Sequence, residues 1–301
     1  MLMSVEQLRK SGKILEDALR YAYELIESGE RSGLKIADAV ENRILESARN
    51  AFPCNIGPDH VAAHFSPTDS DPAPLDSAKL VKIDAGAHVD GWISDAAFTY
   101  VFDEGYRKLA RAAYEALYEA VHAVRPGVRV SEIGQAISSV AKKYGVRPIE
   151  NLGGHQIERY NLHAGLFVPN VPEGRAVIRE GMILAIEPFM TDGRGFVSNG
   201  SSVTIFSLVR ERARSPIARK VLSYVKSEFG PLPFSQKWVE REFGNAARLA
   251  LYELTKSGSL HQYPVLLERS GTHVAQFETT MYVDKDGAEP IVDIEWMGAL
   301  V

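Results

Sequence analysis

The sequence predicts an α+β fold, and three observations lead to it. Two pairs of amphipathic helical segments are each followed by extended apolar runs, an order typical of helices packed on antiparallel strands. An Asp-Gly pair at 90–91 separates two of these runs, which is a strong hairpin signal. A chain of 301 residues with 45% hydrophobic content can bury a substantial core. We therefore expect a single domain of helices and strands over residues 1–301.

The first half of the chain predicts two helices and a hairpin. Ser4 is a candidate N-cap for the first helix. The second helix carries an apolar stripe along 36–48 and should end before Pro53, where proline cannot continue it. The extended runs 80–83 and 92–102 then form the two strands of the hairpin.

The second half repeats this order. A third helix has its apolar face between Leu109 and Val124 and is broken by Pro126-Gly127. A fourth helix, with Ser131 as its cap, continues to Tyr144. Strands and loops are expected afterwards, within 151–167, 182–190 and 196–206.

Residues 207–270 differ in composition from the rest of the chain. Two helix-like segments, 217–229 and 236–255, are rich in charge and are flanked by prolines. The sequence therefore predicts a helical subdomain inserted over 207–270, before a final strand at 273–283 that returns to the main sheet.

Composition and charge exclude several classes of protein. The net charge of −5 argues against a general nucleic-acid binder, which needs a surplus of Lys and Arg. Cys54 is the single cysteine, so no intramolecular disulfide forms; we expect a buried apolar residue, with a nucleophile as the alternative. No apolar run approaches the ~20 residues of a membrane span, and the N-terminus lacks the apolar core of a signal peptide. A cytoplasmic protein with no membrane partner is expected.

Two acids lie in the middle of the apolar hairpin strands. With Asp90 and Gly91 as the turn, Asp95 faces Gly86, and Asp84 is then the diagonal neighbour of Asp95 on the same face. Gly86 has no side chain to fill the space between the two carboxylates. If the two carboxylates are buried, they need a cation between them. The alternative is that this face of the sheet is exposed to solvent and both carboxylates are hydrated.

Three further candidate ligands come from distant segments. His155 follows a Gly-Gly pair, Glu187 ends an apolar strand, and Glu278 lies in the last predicted strand. One such acid is commonly a surface residue and one such histidine is commonly structural. Four acids and a histidine at similar strand positions indicate a metal site instead. Mostly oxygen ligands with a single imidazole suit divalent ions such as Mn, Fe or Co, and not a structural thiolate Zn site.

Five short segments together carry a resemblance to a known family. They are K-I-D-A-G…G-W-I-S-D, N-L-G-G-H, L-H-A-G, I-E-P-F and A-Q-F-E-T-T. With them the chain resembles, over essentially its whole length, the methionine aminopeptidases, in particular their type II branch from archaea and eukaryotes. The stretches E-F-G-P-L-P-F and Q-Y-P-V-L within the insertion are also similar to type II. The resemblance implies the pita-bread fold, with two pseudo-symmetric halves and a helical type II insertion.

The resemblance also implies the site residues. Two divalent metal ions (Co, Mn, Fe or Zn) would be held by Asp84, Asp95, His155, Glu187 and Glu278. The catalytic residues would be Glu187, as the proton carrier, and His64 and His163, as substrate contacts. Apolar residues beside these motifs are expected to line a methionine pocket: Phe52, Leu162 and Phe189.

The implied activity is removal of the initiator methionine from nascent polypeptides whose second residue is small. By that rule this chain, which begins Met1-Leu2, should keep its own Met1. Two alternatives share the fold: a proline dipeptidase, which usually carries a large N-terminal domain, and a non-catalytic binding relative, which typically loses metal ligands. The expected partners are nascent N-termini, with the ribosome as a transient one and no specific nucleic acid, and we expect a monomer.

Overall fold

The structure, a computed structural model, describes residues 2–301 and the side chains of residues 5–301. Helices are α1 (Leu2–Glu27), α2 (Gly33–Leu45), α3 (Arg107–Ala123), α4 (Val130–Tyr144), α5 (Pro216–Glu228), α6 (Gln236–Phe243), α7 (Ala246–Lys256) and α8 (Ile294–Gly298). Strands are β1 (Arg49–Pro58), β2 (Val61–Ala63), β3 (Leu80–Val89), β4 (Trp92–Val101), β5 (Arg147–Pro148), β6 (Gly153–Ile157), β7 (Phe167–Pro169), β8 (Ile183–Ile186), β9 (Phe189–Thr191), β10 (Ser198–Leu208), β11 (Phe234–Ser235), β12 (Leu260–Leu267), β13 (Val274–Gln276), β14 (Thr279–Val283) and β15 (Ala288–Pro290).

Two antiparallel sheets carry the main body of the fold. One has the strand order β1-β3-β4, and the other has the order β15-β14-β8-β6-β7. An isolated bridge between Ala97 and Glu278 connects them, with backbone N···O distances of 3.3 and 2.9 Å in the two directions. Because helices and antiparallel sheets form one body, the α+β prediction is confirmed.

The long helices cover these sheets with their apolar faces. Helix α1 packs on β3 and β4, α2 packs on β1, and α3 lies against α4. The apolar face of α1 is fully buried, as Leu15, Leu19 and Ile26 show. Burial of such stripes is what stabilises helices of this length. Among the described residues, no helix has the length and apolar character needed to cross a membrane.

Helices α5, α6 and α7 have an apolar cluster of their own. It includes Val221, Val225 and Leu254, and strands β10 and β12 lie beside it. The fully buried ammonium group of Lys237 joins this region to α2, because its Nζ lies 2.9 Å from Asp38 Oδ1 and 3.0 Å from Glu41 Oε2. The apolar cluster and this ion cluster thus hold the three helices against the main body.

Two predicted helix starts are wrong. Helix α1 begins at Leu2, so Ser4 lies within it and does not precede it. Helix α4 begins at Val130, one residue before Ser131. Its start is stabilised instead by Glu132, whose Oε1 accepts the backbone N–H of Arg129 at 2.9 Å and so satisfies a free donor of the first turn.

Three other predicted elements differ from the structure. The helix expected over 236–255 is two helices, because Gly244 takes a φ of +62° that a helix does not allow. The final strand is interrupted at Phe277-Glu278. Strand β1 runs through Pro53, where only a helix end was predicted. Met1, on which the prediction of a retained initiator methionine depends, lies outside the described residues.

Candidate metal centre

The hairpin brings Asp84 and Asp95 to one face of the first sheet. Strands β3 and β4 pair in the predicted register, with Gly86 opposite Asp95 and Asp84 opposite Ala97. The turn uses Asp90 and Gly91 at φ values of +50° and +84°, the positive angles that a tight two-residue hairpin requires. Asp84 is therefore the diagonal neighbour of Asp95, as the sequence predicts.

The space over Gly86 is filled, which corrects one detail of that prediction. A Cβ atom on Gly86 would lie 2.2 Å from Cε1 of Phe52, so the aromatic ring covers the glycine. Phe52 reaches it because β1 has an irregular register, pairing Phe52 with Gly86 and then Asn55 with Asp84. The glycine makes room for the ring, and the two carboxylates lie beside that ring.

Glu278 reaches the same place through the break between β13 and β14. Its backbone pairs with Ala97, two residues from Asp95 on β4. Thr280 fixes the alignment, because its Oγ1 accepts the Asp95 N–H at 2.7 Å and donates to the Asp95 carbonyl at 2.9 Å. Gln276 Nε2 donates to Glu278 Oε2 at 3.0 Å and so orients the carboxylate.

His155 and Glu187 approach from the second sheet. His155 lies on β6 opposite Ala185 of β8, and Glu187 directly follows β8. Gly154 permits this close approach, since a Cβ there would lie 2.1 Å from the Ala185 carbonyl oxygen. His155 Nε2 is 3.6 Å from Asp95 Oδ2 and 3.7 Å from Glu187 Oε1. Both sheets thus direct polar atoms to one point.

The cluster is electrostatically unfavourable without a cation. Burial, reinforced by neighbouring carboxylates, raises the pKa of Asp84, Glu187 and Glu278 well above the ordinary range. Burial also raises the pKa of Asp95 to about 7. One ligand atom each from Asp95, His155 and Glu278 lie within 4.8 Å of one another. A divalent ion would compensate these charges directly.

The donors present fit such an ion. Within the described part of the chain, Asp84 Oδ1 and Asp95 Oδ1 are buried side-chain oxygens without a hydrogen-bond partner. Buried carboxylate oxygens normally have one, so these two are available to bind an ion. Carboxylate oxygens with one imidazole nitrogen are a donor set for a divalent ion.

A cavity of about 250 Å³ opens beside the carboxylates. All five predicted ligands line it, as do Phe52, Leu162 and Phe189, whose side chains are 6%, 8% and 1% exposed. Other residues that were not predicted from the sequence also line the cavity, among them Asn55, Phe167 and Tyr263. Tyr263 belongs to the Q-Y-P-V-L stretch, but no local pattern marks any of the three as a lining residue, since each lies on a strand whose pairing brings it to the cavity.

Two further histidines, His64 and His163, line the cavity. His64 has a φ of +63°, a strained backbone for a non-glycine residue, and its Nδ1 lies 3.3 Å from the Pro264 carbonyl oxygen. Burial lowers the pKa of His64 to about 4. The ring centroid of His163 is 4.4 Å from that of His155. Within the described residues the remaining histidines lie outside the lining: His60, His88, His122, His261 and His273.

The chain is similar to known metallopeptidases. Residues 6–212 match the model of metallopeptidase family M24. The chain is 41% identical over 288 residues to a methionine aminopeptidase of Thermococcus onnurineus, covering 94% of this chain and 97% of the relative. It is 40% identical over 301 residues to a methionine aminopeptidase of Methanothermobacter thermautotrophicus, covering 97% and 100%.

Solved structures share the fold. A thermophilic Arx1 superimposes with a TM-score of 0.83 at 18% identity, covering 98% of this chain and 93% of that one. A methionine aminopeptidase of Rickettsia prowazekii gives a TM-score of 0.69 at 20% identity, covering 97% and 98%. The architecture is thus the pita-bread fold. With a metallopeptidase family model and relatives at about 40% identity, the chain belongs to metallopeptidase family M24 and, within it, to the methionine aminopeptidases.

Proposed function

We propose that this chain removes the initiator methionine from polypeptides whose second residue is small, using two divalent metal ions held by Asp84, Asp95, His155, Glu187 and Glu278. One observation carries the proposal: these side chains converge on one cavity, where two buried carboxylate oxygens have no hydrogen-bond partner among the described residues. The near-full-length similarity to methionine aminopeptidases supports the same activity. The donor set favours divalent ions of one class, Co, Mn, Fe or Zn, and does not select one of them.

Glu187 carries the proton in this proposal. When bound, divalent ions supply Lewis acidity that polarises a carbonyl and lowers the pKa of water. The side chain of Glu187 is 13% exposed and lies at the cavity wall, so its carboxylate can accept a proton from water and deliver it to the leaving amine. Burial raises the pKa of Glu187 above that of an exposed glutamate, so its carboxylate holds a proton more readily.

The two cavity histidines orient the peptide bond. The carbonyl of Pro264 can only accept, so His64 Nδ1 carries the proton of this contact, which leaves Nε2 as an acceptor for the scissile N–H. His163, whose ring lies beside that of His155, donates to the oxygen on which negative charge develops. The role of His64 as an acceptor needs a neutral imidazole, in accord with its lowered pKa.

The apolar walls select methionine. Phe52, Leu162 and Phe189 form a dry surface that an unbranched thioether side chain can fill. The size of the cavity, about 250 Å³, suits one such side chain and a short piece of backbone. A free N-terminus would place its amine among the carboxylates, which restricts the enzyme to chain ends.

Peptide cleavage tests the proposal. The protein is stripped with EDTA, Mn or Co is returned, and release of the first residue is measured on Met-Ala-Ser and on Ala-Pro. Metal-dependent release from Met-Ala-Ser alone is expected. Cleavage of Ala-Pro alone would reassign the chain to the proline dipeptidases, and no cleavage with any metal would favour a binding protein.

We also propose that the chain acts in the cytoplasm as a monomer and contacts the ribosome transiently. The segment 210–220 supports the ribosome contact, since five of its residues are basic and exposed against one acidic residue: Arg210, Arg212, Arg214, Arg219 and Lys220. Such a segment attracts RNA phosphates. Ribosome co-sedimentation at low salt should fall when Arg212 and Arg214 become Glu, and unchanged co-sedimentation would refute this contact.

We propose, finally, that residues 207–270 form a helical insertion within a single catalytic domain of residues 1–301. The separate apolar cluster of α5, α6 and α7 supports this division. The family match ends at residue 212, close to the proposed boundary.

A further inference from the structure

Phe167 is an exposed aromatic residue in the wall of the cavity. Of the apolar residues that line the cavity in the described part of the chain, it alone is exposed, at 48%. Phe52, Leu162 and Phe189 are all buried. The exposed position places the ring at the mouth of the cavity, where a bound polypeptide must leave the site.

Strand pairing directs the ring toward the site. Phe167 lies on β7, the edge strand of its sheet, directly opposite His155 on β6. Residues that face each other across an antiparallel pair project from the same side of the sheet. Phe167 and the proposed metal ligand His155 are therefore neighbours on the cavity side, with the phenylalanine nearer to solvent.

A glycine makes room for this arrangement. A Cβ atom on Gly153 would lie 3.1 Å from Cζ of Phe167 and 2.4 Å from the carbonyl oxygen of Val168. Gly153 lines the cavity as well. The Phe167 ring thus lies against the backbone of Gly153, with no side chain between them. The solvent-exposed part of the ring remains available to a ligand.

The geometry of an extended peptide determines which residue this ring meets. Side chains alternate along an extended chain, so the first and third residues project to the same side, about 7 Å apart. If methionine fills the buried apolar walls, the third side chain lies on that side and toward the mouth. We propose that Phe167 forms a binding surface for the third residue of the substrate and gives the enzyme a preference for aromatic and large apolar residues there.

This inference rests on the proposed function and deepens it. Contact between two aromatic rings in a partly open site changes binding roughly three- to tenfold. We therefore expect kcat/KM on Met-Ala-Phe to exceed that on Met-Ala-Ser by roughly three- to tenfold. The two peptides should differ in KM and not in kcat, because the contact with Phe167 stabilises the bound substrate and the transition state equally.

The test compares this ratio of kcat/KM values between variants, so that any general change in activity cancels. Phe167→Ala should bring the ratio close to one, and Phe167→Leu should give an intermediate value. Tyr252→Ala is the matched control: this aromatic residue is 65% exposed on α7 and lines a different cleft, so the wild-type ratio should persist.

A ratio near one in the wild type, with both peptides cleaved, overturns the inference and leaves the proposed function standing. A wild-type ratio that survives in Phe167→Ala also overturns it. No methionine release from either peptide with any metal overturns the proposed function, and this inference with it.

Discussion

Asn55 donates a hydrogen bond from Nδ2 to Asp84 Oδ2 at 3.2 Å, directly across the β1–β3 pairing. The other oxygen of Asp84, Oδ1, is the one without a partner in the described residues. The amide therefore holds the carboxylate by one oxygen and leaves the second free for a metal ion. Replacing a group that orients a ligand in this way typically costs roughly ten- to a hundredfold in metal affinity.

Replacing Asn55 should weaken metal binding. Asn55→Ala frees the Asp84 carboxylate to rotate, and we expect Mn affinity to fall roughly tenfold. Isothermal titration of EDTA-stripped protein measures this. Asn42→Ala, which removes an exposed amide from α2, is the control and should bind Mn normally. Equal affinities in the two variants would show that Asn55 does not position Asp84.

Replacing Glu187 should abolish catalysis and keep the fold. Glu187→Gln preserves the volume of the side chain and removes the carboxylate that is proposed to carry the proton. We expect a loss of at least about a hundredfold in kcat on Met-Ala-Ser, with a thermal unfolding midpoint close to that of the wild type. Full activity in this variant would refute the proton-transfer role.

His64 should affect turnover and not metal content. His64→Ala removes the acceptor proposed for the scissile N–H, so kcat should fall roughly ten- to a hundredfold while bound Mn stays constant. His122→Ala on α3 is the control, because that histidine is exposed and outside the cavity. Steady-state kinetics with metal analysis decides the matter, and wild-type kinetics in His64→Ala would count against the assignment.

The metal-free protein should become less stable as pH rises. Burial raises the pKa of Asp95 to about 7, above the ~4 of an unfolded aspartate, so the folded state binds this proton more tightly. The stabilisation is present in full below pH ~4 and is lost as pH rises through 7. Raised pKa values at Asp84, Glu187 and Glu278 act in the same direction.

Thermal unfolding of EDTA-treated protein between pH 5 and 8 tests this dependence. The unfolding midpoint should fall by several degrees over that range, and saturating Mn should reduce the fall because the ion stabilises the ionised carboxylates. A metal-free midpoint that rises with pH would contradict the expected burial of the cluster.

The buried Lys237 should be essential to the attachment of α6. Lys237→Met leaves Glu41 buried without its cation, which should lower the free energy of unfolding by about 3–5 kcal/mol. Urea denaturation measures this. Adding Glu41→Gln removes the unpaired charge. The amide oxygen of the glutamine can still accept the Cys54 N–H, which Glu41 Oε1 accepts at 3.1 Å. The double variant should therefore recover part of the lost free energy of unfolding. A double variant no more stable than Lys237→Met would argue against charge burial as the cause.

Local sequence signals determined the main elements of the fold. The Asp90-Gly91 turn specifies the hairpin and its register, because a two-residue turn admits few backbone conformations and side chains alternate strictly along each strand. Apolar periodicity located the four long helices of the main body. The set of acids and histidine that converges on the cavity was identified from short motifs, since each motif keeps its chemistry within a few residues.

Tertiary structure alone decided how those segments meet. Asn55 reaches Asp84 across 29 positions of sequence, and Thr280 reaches Asp95 across 185. The strand break at Glu278, the Phe52 ring over Gly86 and the place of Phe167 at the cavity mouth likewise follow from strand pairing and packing. Such contacts leave no local pattern, because their energy comes from burial and hydrogen bonding between segments that only the folded chain brings together.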